Sequence, residues 1–140
     1  MTIPVWALLG FAVWTLVTLI TTVGVYRWTR ILSGRAPISS FRSDKIEGKD
    51  WYRRAMRAHA NCVENLAVYA AIVIVIVASG TTGRLLDTLA IMLLVARVCQ
   101  TLVHVSLAET DTTVSVRFSF FFIQFVCMIW MSVLVVRAVV

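Results

Sequence analysis

Two uncharged runs constrain this chain more than anything else in it. Residues 5–25, "VWALLGFAVWTLVTLITTVGV", and 118–136, "FSFFFIQFVCMIWMSVLVV", contain no Asp, Glu, Lys or Arg. Roughly 20 apolar residues make a helix that crosses the hydrocarbon core of a bilayer. In lipid such a segment must satisfy its own backbone polar groups, so the runs read as helical spans. A third span is predicted over 85–107, "LLDTLAIMLLVARVCQTLVHVSL", interrupted by Asp87, Arg97 and His104. The apolar stretch 66–78 is too short to span alone. Its helix is therefore predicted to begin near Asp50, with Asp50 as N-cap, and to include the polar run 53–65, "RRAMRAHANCVEN".

The connections agree with this division. "SGTTGR" (79–84) is a short Gly/Thr turn, "AETDTT" (108–113) separates the last two spans, and "SGRAPISSFRSDKIEGKD" (33–50) is a longer polar loop. The expectation is an all-α, integral membrane four-helix bundle. It is read as one domain over residues 1–140, with spans at about 4–27, 50–79, 84–108 and 114–137. No cleaved signal peptide is expected, because the first apolar run lacks a basic leader and is long enough to span.

Only 14% of the residues are charged, against about 25% in a soluble domain. The net charge of +6 is not a nucleic-acid signature. Arg27, Arg30, Arg35, Arg42, Lys45, Lys49, Arg53, Arg54 and Arg57 account for most of the basic residues, all around one loop, and no base-reading motif accompanies them. The positive-inside rule places the 28–50 loop in the cytoplasm and both termini on the opposite side. Cys62, Cys99 and Cys127 show no CxxC spacing and read as small buried residues, so no metal site is expected.

The polar residues of the second span form a face. At about 100° per residue, Arg54, Arg57, Asn61, Glu64 and Asn65 fall within a stripe of roughly 100°, while His59 and Cys62 point elsewhere. In the third span Arg97, Gln100, Thr101 and His104 stand at i, i+3, i+4 and i+7, again on one face. A buried Arg in a span costs about 2.5–3.5 kcal/mol and needs a partner. Counted from Gly83 at about 1.5 Å per residue, Glu64 and Arg97 differ by roughly 7 Å in depth, which predicts a Glu64–Arg97 ion pair with Asn61 and His104 nearby. Such stripes can simply hold helices together. They also match a small zwitterionic or anionic ligand, since Arg forks a carboxylate, Glu holds an ammonium and Asn bonds a peptide unit. Arg27 and Arg30 read equally as ligand contacts or as interfacial anchors.

The run "RAHANCVEN" resembles the RAxxNxxE motif of the MAPEG family, membrane-associated proteins in eicosanoid and glutathione metabolism. Arg57, Ala58, Asn61 and Glu64 match it position by position. "GVYR" (24–27) is similar to the family's first-span end, and "ARVCQTLVH" (96–104) to its third-span GRVxxT pattern. The resemblance implies a homotrimer with glutathione sites between neighbouring subunits, open to the cytoplasm, and glutathione as co-substrate. It makes Arg27, Arg54, Arg57, Asn61, Glu64, Gln100 and His104 candidate glutathione contacts, and Arg97 a buried supporting arginine.

The fourth span departs from the family's RSxxY pattern. In "VSVRF" (114–118) Ser115 keeps the serine, Val114 stands in place of the arginine and Phe118 in place of the tyrosine, while Arg117 is displaced by three positions. Arg117 and Ser115 are the candidates for thiolate stabilisation, and Arg117 reads equally as an interfacial charge. The implied activity is attack of a glutathione thiolate on a lipophilic electrophile, or reduction of a lipid hydroperoxide, with the apolar partner arriving from the lipid bilayer. Two other readings stand beside it. One is a glutathione-binding member without turnover. The other is a small four-span transporter, which needs a titratable carboxylate within a span.

Overall fold

A computed structural model describes residues 1–42 and 46–140, so part of the predicted 28–50 loop, at 43–45, lies outside the described residues. Among the described residues four helices are long and apolar enough to cross a membrane: α1 Ile3–Leu32, α2 Asp50–Ser79, α3 Arg84–Ser106 and α4 Asp111–Val139. Among the described residues there is no strand. Short turns join α2 to α3 and α3 to α4, so these neighbours run antiparallel.

Local chemistry sets the helix ends. Pro4 occupies the first turn of α1, where its missing N–H costs nothing. Gly80, at φ 65°, closes α2 in the left-handed conformation that glycine adopts without strain. Thr110 caps α4: its hydroxyl accepts from the Thr113 backbone N–H while the Thr113 hydroxyl accepts from the Thr110 N–H. Asp50 is not the cap of α2. Lys49 holds that extended position, and Asp50 begins the helix and pairs with Arg53 one turn on.

Helix α3 packs against each of the other three and is the most enclosed. Its inner face presents Leu86, Leu89, Ala90, Leu93, Ala96, Arg97, Gln100 and Thr101. The polar members sit toward one end of the bundle. The other end is apolar and closes on Phe11, Tyr69, Val73, Ile76, Met131 and Val135. Trp6, Leu9, Val13 and Leu16 on α1, Ile74 and Val77 on α2, and Phe118, Phe122, Phe125 and Trp130 on α4 are exposed. A soluble protein rarely shows so continuous an apolar surface; in a bilayer this surface faces its proper solvent.

Helix α1 widens into a π-helical stretch at Leu19–Gly24. Thr21 and Thr22 donate their hydroxyls to the carbonyls of Val17 and Thr18, one turn back. Such side-chain bonds compete with the backbone ladder and favour a local change of winding. Beyond this stretch Tyr26 stacks on Tyr52, with ring centroids 4.1 Å apart, and meets Trp51 edge-on at 5.3 Å. The cluster fastens the polar end of α1 to the start of α2.

Candidate functional site

The site begins with the orientation of one amide. Arg97 on α3 donates from Nη1 to Asn61 Oδ1 on α2 at 3.0 Å, and Asn65 donates from Nδ2 to the same oxygen at 2.7 Å. Asn65 is also fixed to the Asn61 backbone carbonyl at 2.8 Å. Two donors on one oxygen determine which end of the Asn61 amide is the carbonyl. Among the described residues its Nδ2 has no hydrogen-bond partner, and Asn61 is only partly buried, so this N–H remains as a donor. Arg97 is 1% exposed, and its charge lies over the Phe11 ring at 5.1 Å.

The expected Glu64–Arg97 ion pair does not form. Glu64 is exposed on the outer side of α2, and Arg97 bonds to Asn61, one turn closer to the polar end. Depth along the helices put both groups in range of Arg97. The rotation of α2 about its own axis selects Asn61.

Asn61, Gln100, His104, Val114, Arg117, Phe118 and Phe121 line a cleft of about 310 Å³ between α2, α3 and α4. Val114, Arg117, Phe118 and Phe121 stand at i, i+3, i+4 and i+7, which is one face of α4. The cleft therefore combines polar groups, Asn61 on α2, Gln100 and His104 on α3 and Arg117 on α4, with an apolar strip of α4 formed by Val114, Phe118 and Phe121. Gln100, expected as a ligand contact, has both ends of its amide engaged within the protein. Its Nε2 donates to the Arg117 carbonyl at 3.2 Å and its Oε1 accepts from Gln124 Nε2 at 2.9 Å. Gln124 also donates to the Phe120 carbonyl at 2.8 Å. Gln100 and Gln124 thus clamp α4 to α3 at the height of Arg117.

A second cavity, about 490 Å³, opens beside the first at the polar end and is lined by Asp50, Arg53, Arg54, Arg57, Ala108 and Glu109. Arg54 and Arg57, both expected as ligand contacts, lie here. Glu109 stands at the border. Its Oε1 accepts from Arg57 Nη2 on α2 at 2.8 Å and from Arg117 Nη1 on α4 at 3.4 Å. Desolvation favours the neutral form of Glu109, but the Arg57 and Arg117 guanidiniums outweigh it and hold the carboxyl below its ordinary value.

Three expected site residues are not brought into either cavity of the protomer. Arg27 donates from Nε to the Tyr52 hydroxyl at 2.8 Å and lies over Phe41 at 5.4 Å. Glu64 faces outward. Ser115 falls about 100° from Val114 on the α4 wheel, off the cleft face, and its hydroxyl donates to the Asp111 carbonyl at 2.8 Å. Conversely, Glu109, Gln124 and Phe121 belong to the site and were not singled out by the sequence. Gln124 had a signal: it is the one amide in an otherwise uncharged, largely apolar run. Glu109 had none beyond its place in a short loop.

The model of the MAPEG family matches residues 4–137, nearly the whole chain. No curated protein and no solved structure matches it at the significance applied.

Proposed function

The chain belongs to the MAPEG family, and from that premise and the chemistry of the cleft we propose that it is a membrane-bound glutathione transferase or peroxidase. The observation that carries this reading is the mixed lining of the cleft. Asn61 on α2, His104 on α3 and Arg117 on α4 offer an amide, an imidazole and a guanidinium. Val114, Phe118 and Phe121, on the same face of α4 as Arg117, make the rest apolar, and α4 also exposes Phe122, Phe125 and Trp130. A polar tripeptide and a lipophilic co-substrate find complementary surfaces within one space.

In the proposed mechanism Asn61 Nδ2 donates to a ligand carbonyl or carboxylate. Arg57 and Arg54 in the adjoining cavity hold a carboxylate. Arg117, which shares Glu109 with Arg57, lends its charge both to that carboxylate and to the nearby thiolate, which favours loss of the thiol proton to water. The thiolate then forms a carbon–sulfur bond as the electrophile's leaving group departs. With a hydroperoxide, two glutathione thiols are oxidised to the disulfide while the hydroperoxide becomes an alcohol and water. The protein supplies orientation and charge, and no side-chain nucleophile is required.

The reading extends to a homotrimer in which a neighbouring copy brings Arg27 and Glu64 toward the ligand, as these two residues face away from the cleft of their own protomer. It places the 28–50 loop and the cleft mouth on the cytoplasmic side. A second reading, glutathione binding without turnover, is favoured by one specific feature: Ser115 is turned off the cleft face, and Phe118 offers no hydroxyl there. Calorimetric titration with glutathione, paired with turnover of chlorodinitrobenzene and of a lipid hydroperoxide, separates the two. Binding with turnover establishes the enzyme, binding alone the second reading, and neither refutes both.

A further inference from the structure

A carboxylate already occupies the place where two arginines converge. Arg57 reaches Glu109 Oε1 from α2 and Arg117 reaches the same oxygen from α4, at 2.8 and 3.4 Å. Glu109 joins the 490 Å³ cavity, which it lines, to the 310 Å³ cleft, which Arg117 lines. Its backbone is held: the Thr113 hydroxyl donates to the Ala108 carbonyl at 2.8 Å, and Thr110 caps α4 directly after it. The carboxylate is therefore presented by a fixed turn, while the side chain itself is 43% exposed and Arg57 is 53% exposed. Exposed ion pairs of this kind are individually weak. A stronger competitor for the two guanidiniums would be a carboxylate on a ligand already anchored elsewhere in the cleft, because its effective concentration at the arginines is high.

We propose that Glu109 is an internal stand-in for a ligand carboxylate: it fills a two-arginine seat in the empty protein and swings out when an anionic ligand's carboxylate takes its place. This rests on reading the cleft as a ligand site. It adds a selection rule to that reading. A ligand with a carboxylate within reach displaces Glu109 and gains both guanidiniums. A neutral analogue leaves Glu109 seated and gains neither. Between ligands, Glu109 keeps the two arginines from facing each other unpaired, which would cost like-charge repulsion.

The test compares the full-length protein with Glu109→Gln, and with Glu109→Asp, whose shorter arm spans the two arginines less well. Affinity is measured for glutathione and for its diethyl ester, which lacks both carboxylates. In parallel, phenylglyoxal labelling of Arg57 and Arg117 is followed by peptide mass spectrometry on empty protein and in the presence of glutarate. Glu109→Gln is expected to bind glutathione about fivefold more tightly, the scale of losing one weak competing pair, with no gain for the diester. Both arginines should label faster in the empty variant and be protected by glutarate, with Glu109→Asp in between. Weaker or unchanged glutathione binding in Glu109→Gln, in protein that binds the tripeptide, overturns the inference, as does labelling of Arg57 and Arg117 at the same rate in wild type and Glu109→Gln. If glutathione binds neither protein while labelling rises and glutarate protects, the carboxylate seat stands and the glutathione reading falls.

Discussion

Arg97 and Asn61 meet across two helices at 3.0 Å, with Arg97 wholly out of reach of solvent. A guanidinium and an amide, rather than a guanidinium and a carboxylate, form the centre of the polar end. The bond does not neutralise Arg97. It leaves the charge in place and aims the amide.

Removing that donor should disturb binding more than folding. In Arg97→Leu the Asn61 amide loses one of its two orienting donors, and Asn65 alone holds it. A hydrogen bond to a charged group contributes roughly 1.5–3 kcal/mol, so glutathione affinity should fall about tenfold or more. The variant also removes a buried cation that has no carboxylate partner among the described residues, which limits the stability loss. Titration calorimetry and thermal unfolding in the same detergent separate the two effects.

The amide clamp between α3 and α4 should behave as a unit. Gln124→Leu leaves Gln100 Oε1 buried without its donor, a loss of about 1–3 kcal/mol. Replacing both by Leu removes the orphan together with its partner, so the double variant should be less destabilised than the sum of the singles. A double-mutant cycle from unfolding midpoints reads the coupling.

The aromatic fastening at the start of α2 depends on one glycine. Gly48 sits at φ +139°, and an added Cβ would come within 2.9 Å of the Tyr26 hydroxyl and 3.0 Å of Tyr52 Cδ1. Gly48→Ala should cost about 1–3 kcal/mol through backbone strain alone, and it should loosen the ring stack. The fluorescence of Trp51, which contacts both tyrosines, should shift together with a lower unfolding temperature.

Acid should open the Glu109 bridge. Its carboxyl is held below the ordinary value of 4.5 in the folded protein. The bridge's contribution is therefore complete above that ordinary value and is lost as pH falls through the lower, folded value. Wild type should lose more thermal stability between pH 6 and pH 3 than Glu109→Gln does. Since other carboxylates titrate in both proteins, the difference between the two curves isolates this group. Parallel curves would mean that the bridge contributes nothing.

How much of this could be read from the sequence follows from what a helical period encodes. Hydropathy marks four helices because each must match the bilayer, and the wheel separates Asn61 from His59 because both lie on one rigid helix. The same wheel does not say how α2 is rotated toward α3, so depth alone pairs Arg97 with Glu64, whereas Asn61 lies in its path. The resemblance makes Gln100 a ligand contact; it lines the cleft, but its amide is engaged by Gln124 and the Arg117 carbonyl, on a helix that the period alone does not place. Ser115 matched a motif by spacing, but its 100° step from Val114 takes it off the cleft. Glu109 was beyond reach, since a turn residue has no period to locate it.

The proposed glutathione site turns on the free Asn61 amide N–H. Asn61→Asp tests it most directly, because the variant keeps an oxygen for Arg97 and Asn65 and gives Arg97 the counter-charge it lacks, while removing the donor from the cleft. Titration of wild type and Asn61→Asp with glutathione, alongside their unfolding temperatures, is the measurement. The expected result is a variant at least as stable as wild type whose affinity is lower by about tenfold or more, the scale of one lost hydrogen bond to a charged group. A stable variant that binds glutathione as tightly as wild type would contradict that role.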